Sequence, residues 1–450
     1  MHERLRKMSV AQLIVKCLEN EGVEYIFGIP GEENIHLIDA INRSSIRFIL
    51  VRHEQGASFM ADIYGRLTGK ADAVPLLVDV VHADAPSSTQ IARAAKVLMS
   101  AKEPIVLAGH GAARSYAQDA LIRFSETLKI PVATTFHGKG VFPDNHPNAL
   151  GAMGFMKHDY VNFGFERADV ILTVGYELQE MPPVKLNPNA DKQIVHIHNL
   201  SAEVDSHYNV TVGIEGNIPT ALDALATAVP TAFDLNPMDI KIQTLLQQEL
   251  ERGEADASFP VKPQRLVADI RKVMAADDIV LADTGAIKMW MARLYPTYKP
   301  NTCLISNGLS TMAFSLPGAI AAKLACPDRN VLAVMGDGGF LMNSQEIETA
   351  IREHIPFVVL IWVDEAYGLI QWKMDMELGR SSHIAFTNPD FVKYAESFGA
   401  RGYRIQTAEE LLPTLKKALA DDTVSVIACP VDYSENIKLT DKLGELTQPI

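Results

Sequence analysis

The chain is poor in cysteine, poor in basic charge, and has no long apolar run. Its four cysteines, Cys17, Cys303, Cys326 and Cys429, lie far apart and form no Cys-x-x-Cys pair. That spacing excludes a disulfide framework or a zinc site as the organising device. Reduced, mostly buried thiols are expected instead, as in a cytoplasmic protein. Lys and Arg number 41 against 55 Asp and Glu, a formal net charge of −14. No nucleic-acid partner is expected, because gripping a phosphate backbone takes clustered cations. A small anionic substrate needs only local groups. No stretch of about 18 apolar residues occurs, so no membrane span is expected. The opening "MHERLRKMSVAQLIVKCLEN" begins basic but continues as an amphipathic helix, not as a signal peptide.

What is present is a repeated alternation of short β-branched runs with longer amphipathic segments. The first block reads helix 9–21, strand 24–31, helix 32–42, strand 47–52 and helix 54–67. The second reads helix 90–101, strand 104–111, helix 115–128, and strands 131–136, 169–176 and 193–198. The third carries strands 278–283, 330–337, 356–364 and 424–432 with helical patterns between them. The pattern predicts an α/β protein of three doubly wound parallel-sheet domains, over 1–80, 81–232 and 233–450. In such sheets ligands bind beyond the carboxyl ends of the strands. The unusual residues collect there: Gly28, Pro30 and Gly31, Glu54 just past its strand, Asp283, Gly336 to Gly339, and Asp364.

The stretch "VMGDGGFLMN" (334–343) is the most specific of these. A buried strand stops on Asp337 between Gly336, Gly338 and Gly339, and a helical pattern follows. Asp364 ends the next strand, with one crossover helix expected between. A right-handed βαβ unit sets consecutive strand ends side by side, so both carboxylates can converge. The glycines let backbone N–H groups approach an anion at a helix N-terminus. The carbonyl of Ala366 could complete an oxygen set. Hard oxygen ligands beside a diphosphate suit Mg²⁺.

Gly-Asp-Gly with an acid after this interval resembles the Mg²⁺–diphosphate motif of thiamine-diphosphate enzymes. "SNGLSTMAFSLPGAIAAKLA" (306–325) resembles the segment before that motif in the acetolactate synthase family. "VEYIFGIPGEEN" (23–34) and "VRHEQGASFMADIYGRLTGK" (51–70) resemble the start of its pyrimidine-binding domain. The resemblance runs along nearly the whole chain in the family's order. It implies the thiamine-diphosphate-binding fold: an incomplete pyrimidine-binding domain at 1–80, a central α/β domain at 81–232 and a diphosphate- and Mg²⁺-binding domain at 233–450. It implies Asp337, Asp364 and Ala366 as metal ligands. Gly28, Pro30, Gly31, Asp283, Gly336, Gly338, Gly339, Tyr367, Gly368 and Leu369 would bind cofactor, with Met312 as the wedge that bends it.

From sequence alone Glu54 is a first-turn helix glutamate that complements the dipole. By resemblance it is the catalytic glutamate that hydrogen-bonds the aminopyrimidine ring and stabilises the tautomer that removes the C2 proton. The implied reaction decarboxylates pyruvate on thiamine diphosphate and transfers the hydroxyethyl carbanion to a second pyruvate, giving 2-acetolactate and CO₂. Another 2-keto acid carboligase or decarboxylase is the rival on the same scaffold; a non-catalytic thiamine-diphosphate-binding or assembly protein is the rival of another kind. The resemblance also implies a homodimer or homotetramer whose active site is shared between subunits, Glu54 of one facing Asp337 and Asp364 of the other.

The FAD signature of the biosynthetic enzymes, an Arg-Phe-Asp-Asp-Arg-like stretch, is absent from "LTVGYELQEMPPVKLNPNADKQIVHIHN" (172–199). This places the resemblance closest to the FAD-independent catabolic type. "GHGAARS" (109–115) lacks the full Gly-x-Gly-x-x-Gly, and a spacer role is expected of that domain. Trp372 reads as a packing aromatic, and His110 and His137 as satisfied loop histidines. Lys288 reads equally as a substrate contact or a solvated lysine. After "GRLTGKA" the family's next strands are missing: about 90–100 residues, which fits a first block of only about 80 where ~100–150 is usual. Either the natural chain carries more residues than this sequence, or the segment is truly deleted.

Overall fold

A computed structural model describes residues 8–69, 85–154 and 160–437. The N-terminal unit has two parallel strands, β1 (Tyr25–Gly28) and β2 (Arg47–Leu50). The central sheet holds β3 (Pro104–Ala108), β4 (Val132–Thr134), β5 (Ala149–Ala152), β6 (Val170–Val174), β7 (Gln193–His198) and β8 (Val210–Glu215). The C-terminal sheet holds β9 (Ile279–Ala282), β10 (Cys303–Ile305), β11 (Val331–Gly336), β12 (Val358–Val363), β13 (Arg401–Arg404) and β14 (Ser425–Pro430). Every pairing in all three sheets is parallel. The doubly wound α/β class expected from the sequence is what the chain adopts.

The two large sheets differ in order. The central one runs β5-β4-β3-β6-β7-β8 and the C-terminal one β10-β9-β11-β12-β14-β13. The chain therefore reverses direction across the sheet between β3 and β6 in the first and between β9 and β11 in the second. Those reversals open crevices at the strand ends, where ligands can sit.

Four strands were not legible in advance: β5, β8, β10 and β13. Each is short, at three to six residues. β5 and β10 lack an alternating pattern, and β13 carries Arg401 and Arg404 on a sheet edge. The crossover between β11 and β12 is also not one helix but two, Asp337–Asn343 and Glu346–Arg352. Ser344 and Gln345, both helical in backbone, make the joint. The strand 104–111 stops at Ala108, because His110–Arg114 already forms a short helix.

The N-terminal unit does not stand alone. Helix Glu54–Thr68 begins with the His53 ring accepting the Gln55 N–H and ends on left-handed Gly69. Its apolar stripe Ala57, Met60, Ile63 and Tyr64, at helical spacing, is buried. That stripe and Ile49 and Val51 share one core with Leu281, Leu316, Ile320 and Met335 of the C-terminal unit. Helix Ser315–Ala325 lies directly against it. Arg52 and His53 donate their backbone N–H groups to Glu346 Oε1, both at 3.0 Å.

Candidate active site

The crevice between β9 and β11 is a cleft lined by Thr284 to Ile287, Met312, Gly336 to Gly339, Asp364, Ala366 to Ile370, and Tyr433. Asp337 opens the helix after β11 and Asp364 follows β12, so the expected βαβ geometry brings the two acids together. Asp337 Oδ2 accepts the N–H groups of Asp364 (3.2 Å) and Glu365 (2.8 Å) and the side-chain amide of Asn388 (2.7 Å). Its Oδ1 accepts from Gly338 N at 2.9 Å. Burial, and then the Asp337 carboxylate, push the Asp364 acid well above its ordinary range.

Among the described residues, neither acid has a Lys, Arg or His partner within 4.0 Å. Asn388 Oδ1, beside them, is buried without a partner among the described residues. An acid pair, Asp337 buried and Asp364 half-buried, that lacks a counter-charge and has an orphaned oxygen at its side fits a divalent cation held partly by a ligand's own oxygens. No group of three or more His, Cys, Asp or Glu converges among the described residues. An all-protein cage is therefore not what this cleft offers.

Asp283 does not line the cleft; it builds it. Its fully buried carboxylate accepts the N–H groups of Ala313 (2.9 Å) and Phe314 (3.1 Å), which fixes the backbone just after Met312. Burial pushes Asp283 up to about 7 against those hydrogen bonds. A Cβ on Gly339 would lie 2.6 Å from Asp283 Oδ2, so glycine there is a matter of clearance. The loop around Met312 is bent by left-handed backbone at Gly308 and Ser310 before it and at Ala313 after it.

Of the sequence candidates, Met312, Gly336, Asp337, Gly338, Gly339, Asp364, Ala366, Tyr367, Gly368 and Leu369 all line this one cleft. Gly28, Pro30 and Gly31 do not; they sit at the end of β1 and in the loop beyond it. Glu54 is exposed, at the first turn of its helix, and is also not a lining residue. The next residue, Gln55, accepts from Asn343 Nδ2 through its Oε1 (3.1 Å). The same amide donates to the carbonyl of Ala313 (3.3 Å), next to Met312.

Sequence reading missed Tyr433 and Asn388. Neither carries a pattern; they arrive from a 3-10 turn and a loop that only the tertiary fold brings to Asp337. Trp372 is 6% exposed and belongs to the core, as a packing aromatic should. Lys288 is 7% exposed, so it is not solvated. His137 is not satisfied either: its Nε2 is buried without a partner among the described residues.

The central crest is built differently. Glu180 is buried there. It accepts from Thr135 Oγ1 (2.5 Å), from Glu177 N (3.1 Å) and, with both oxygens, from His110 N (3.2 and 3.0 Å). Burial raises it to about 7 despite those donors. The chain's own carboxylate thus occupies the head of the helix at the β3/β6 reversal. That is where a ligand phosphate would have to sit.

Three domain models match this chain: the N-terminal TPP binding domain of thiamine pyrophosphate enzymes over residues 8–121, their central domain over 91–225, and their C-terminal TPP binding domain over 283–429. That is the domain set of a thiamine pyrophosphate enzyme. Acetolactate synthase of Bacillus subtilis (strain 168) is 29% identical, covering 97% of this chain and 96% of that protein. The catabolic acetolactate synthase of Raoultella terrigena is 30% identical over 96% of this chain and 97% of its own length. A probable acetolactate synthase large subunit of Methanocaldococcus jannaschii is 29% identical over 98% and 96%. The chain belongs to the thiamine pyrophosphate enzymes and stands with their acetolactate synthases. The first of these alignments spans 550 positions, 100 more than the 450 residues here, so at least that many positions of the relative have no counterpart in this sequence.

Proposed function

We propose that this protein is an acetolactate synthase: it decarboxylates pyruvate and joins the two-carbon unit to a second pyruvate, giving 2-acetolactate and CO₂. The observation that carries the reading is the β9/β11 cleft, where Gly336 to Gly339, the Asp337–Asp364 pair and Met312 line one crevice. Thiamine diphosphate, when bound, supplies the carbon nucleophile.

The chain's residues do the rest. Asp337 and Asp364, with the Ala366 carbonyl, hold Mg²⁺ against the diphosphate. The backbone at Gly338 and Gly339 admits the phosphates to the helix start, and Tyr367, Gly368 and Leu369 close the wall. Asp283 locks the Met312 loop. Glu54 holds a proton on the pyrimidine ring. Gly28, Pro30 and Gly31 shape the pyrimidine side. The working assembly is a homodimer or homotetramer, in which the helix Glu54–Thr68 face of one subunit serves the cleft of another. It acts in the cytoplasm on a small 2-keto acid. The domain limits we propose are 1–80, 81–232 and 233–450.

Pyruvate incubated with the full chain, thiamine diphosphate and Mg²⁺ should give acetolactate and CO₂ in a ratio of one to one. Glu54→Gln should slow this by at least ~100-fold, the span of a lost general acid–base group. CO₂ without acetolactate would point to a decarboxylase and overturn the reading. Mixing Glu54→Gln with Asp337→Asn chains should restore activity if sites are shared, because one site of each mixed dimer is then intact. A second reading, cofactor binding without turnover, is favoured by the N-terminal unit, whose described residues hold two strands, small for a wall of an active site. Calorimetric binding of thiamine diphosphate with no CO₂ release would select it.

A further inference from the structure

Lys288 is a buried cation next to the cleft and is not itself a lining residue. It follows Ile287, which lines the cleft, in the first turn of helix Ala286–Leu294. Its Nζ donates to Ser310 Oγ at 2.9 Å and Asn307 Oδ1 at 3.4 Å, both neutral acceptors. Among the described residues it has no carboxylate partner within 4.0 Å. An ammonium has three protons to place and is costly to bury unpaired. The neighbouring charges add to that cost. Burial and then Lys185 and Lys373 pull Lys288 down to about 8, and Asp283 only partly offsets them. The Asp283 carboxylate is in any case committed to Ala313 and Phe314.

A second group meets the same loop. A Cβ on Gly308 would lie 3.9 Å from the His137 ring, so His137 flanks the loop segment between Asn307 and Ser310 that Lys288 holds. The buried Nε2 of His137 has no partner among the described residues. Asn307 in turn donates to the Glu180 carbonyl at 2.9 Å, which pins this loop to the central unit. An unpaired buried ammonium and an unpartnered imidazole nitrogen therefore stand at the loop that carries Met312, in a chain of net charge −14.

We infer that Lys288, with His137 beside it, is the anion seat of this cleft and binds the carboxylate of the 2-keto acid substrate. The inference rests on the function proposed above and deepens it: specificity for an anionic keto acid resides in Lys288. Loss of an unshared buried charge pair weakens binding by at least about tenfold.

The test reads binding without turnover. The full chain, loaded with thiamine diphosphate and Mg²⁺, is titrated by calorimetry with oxamate, a pyruvate isostere that is not decarboxylated. Lys288→Met should weaken oxamate at least about tenfold, while Lys288→Arg stays within about threefold and thiamine diphosphate affinity is equal in all three. Lys288→Gln gives the same readout if the Met variant does not fold. Unchanged oxamate affinity in Lys288→Met overturns the inference. So does a parallel loss of thiamine diphosphate affinity, which would make Lys288 a tether for the Met312 loop, and so does failure of the unmutated chain to bind oxamate. Lysine-dependent oxamate binding without CO₂ release from pyruvate would overturn the acetolactate synthase reading and leave this one standing.

Discussion

The central and C-terminal sheets are two six-stranded parallel sheets with opposite fates at their crests. At the β3/β6 reversal the space is filled from within: Glu180 takes the N–H of His110, and the backbones at Gly111 and Gly175 touch, their amide and carbonyl bonded at 2.8 Å. At the β9/β11 reversal the chain supplies two acids with no cation, a glycine turn and an open cleft. A carboxylate set at the head of a helix by three of the chain's own donors fills the place a ligand would take; an acid pair left without counter-charge beside an open cleft asks for one. The same architecture thus yields a spacer in one case and a binding crevice in the other. The deciding residues are a handful at strand ends.

The largest effect should come from removing the open crest's charge. Asp337→Asn is expected to lower acetolactate formation by at least ~10³-fold, with the loss appearing as weakened thiamine diphosphate and Mg²⁺ binding in calorimetry. Retained affinity for both would erase the distinction between the two crests.

Next is closure of the sealed crest. Gly175 has φ +62, and a Cβ there would collide with the amide nitrogen of Ala112. Gly175→Ala should cost about 3 kcal/mol or more in denaturant unfolding. A near-neutral result would mean that the crest can open after all.

The smallest effect is a pH slope. His196 is buried in the central sheet against Tyr208 and Thr173, and burial and then His198 pull it from 6.5 to about 4. Above pH 6.5 the ring is neutral in both folded and unfolded chains, and no penalty arises. As pH falls from 6.5 toward 4 the unfolded chain takes up a proton that the fold refuses, so stability drops, by about 2 kcal/mol at pH 5. His196→Gln should flatten the slope by that amount. An unchanged slope would place the acid sensitivity elsewhere, at His110 or His137, which are also lowered.

The open crest was legible in the sequence because its parts are local. Gly336-Asp337-Gly338-Gly339 follows a β-branched run, and Asp364 ends the next. Periodicity places both at strand ends without any long-range knowledge. The sealed crest was less legible. Glu180 lies in a loop with no pattern and meets His110, 70 positions away, only in the fold. Asn388 reaches Asp337, and Tyr433 the cleft wall, the same way. Lys288 stood open between substrate contact and solvated lysine, because exposure cannot be read from a lysine's identity; its helix is buried along every residue from Ala286 to Leu294. The short strands β10 and β13 are held by their neighbours rather than by their own propensity.

The shared core between the N-terminal unit and helix Ser315–Ala325 has a consequence for how the chain is made. The stripe Ala57, Met60, Ile63 and Tyr64 leaves the ribosome early, but the helix that covers it is translated roughly 250 residues later. At ~5–20 residues per second that is a wait of about 12–50 s, during which the stripe faces solvent or a chaperone. A segment synthesised well ahead of its partner is thus among the last to be completed, and slowing translation ahead of residue 315 should lengthen its sensitivity to protease.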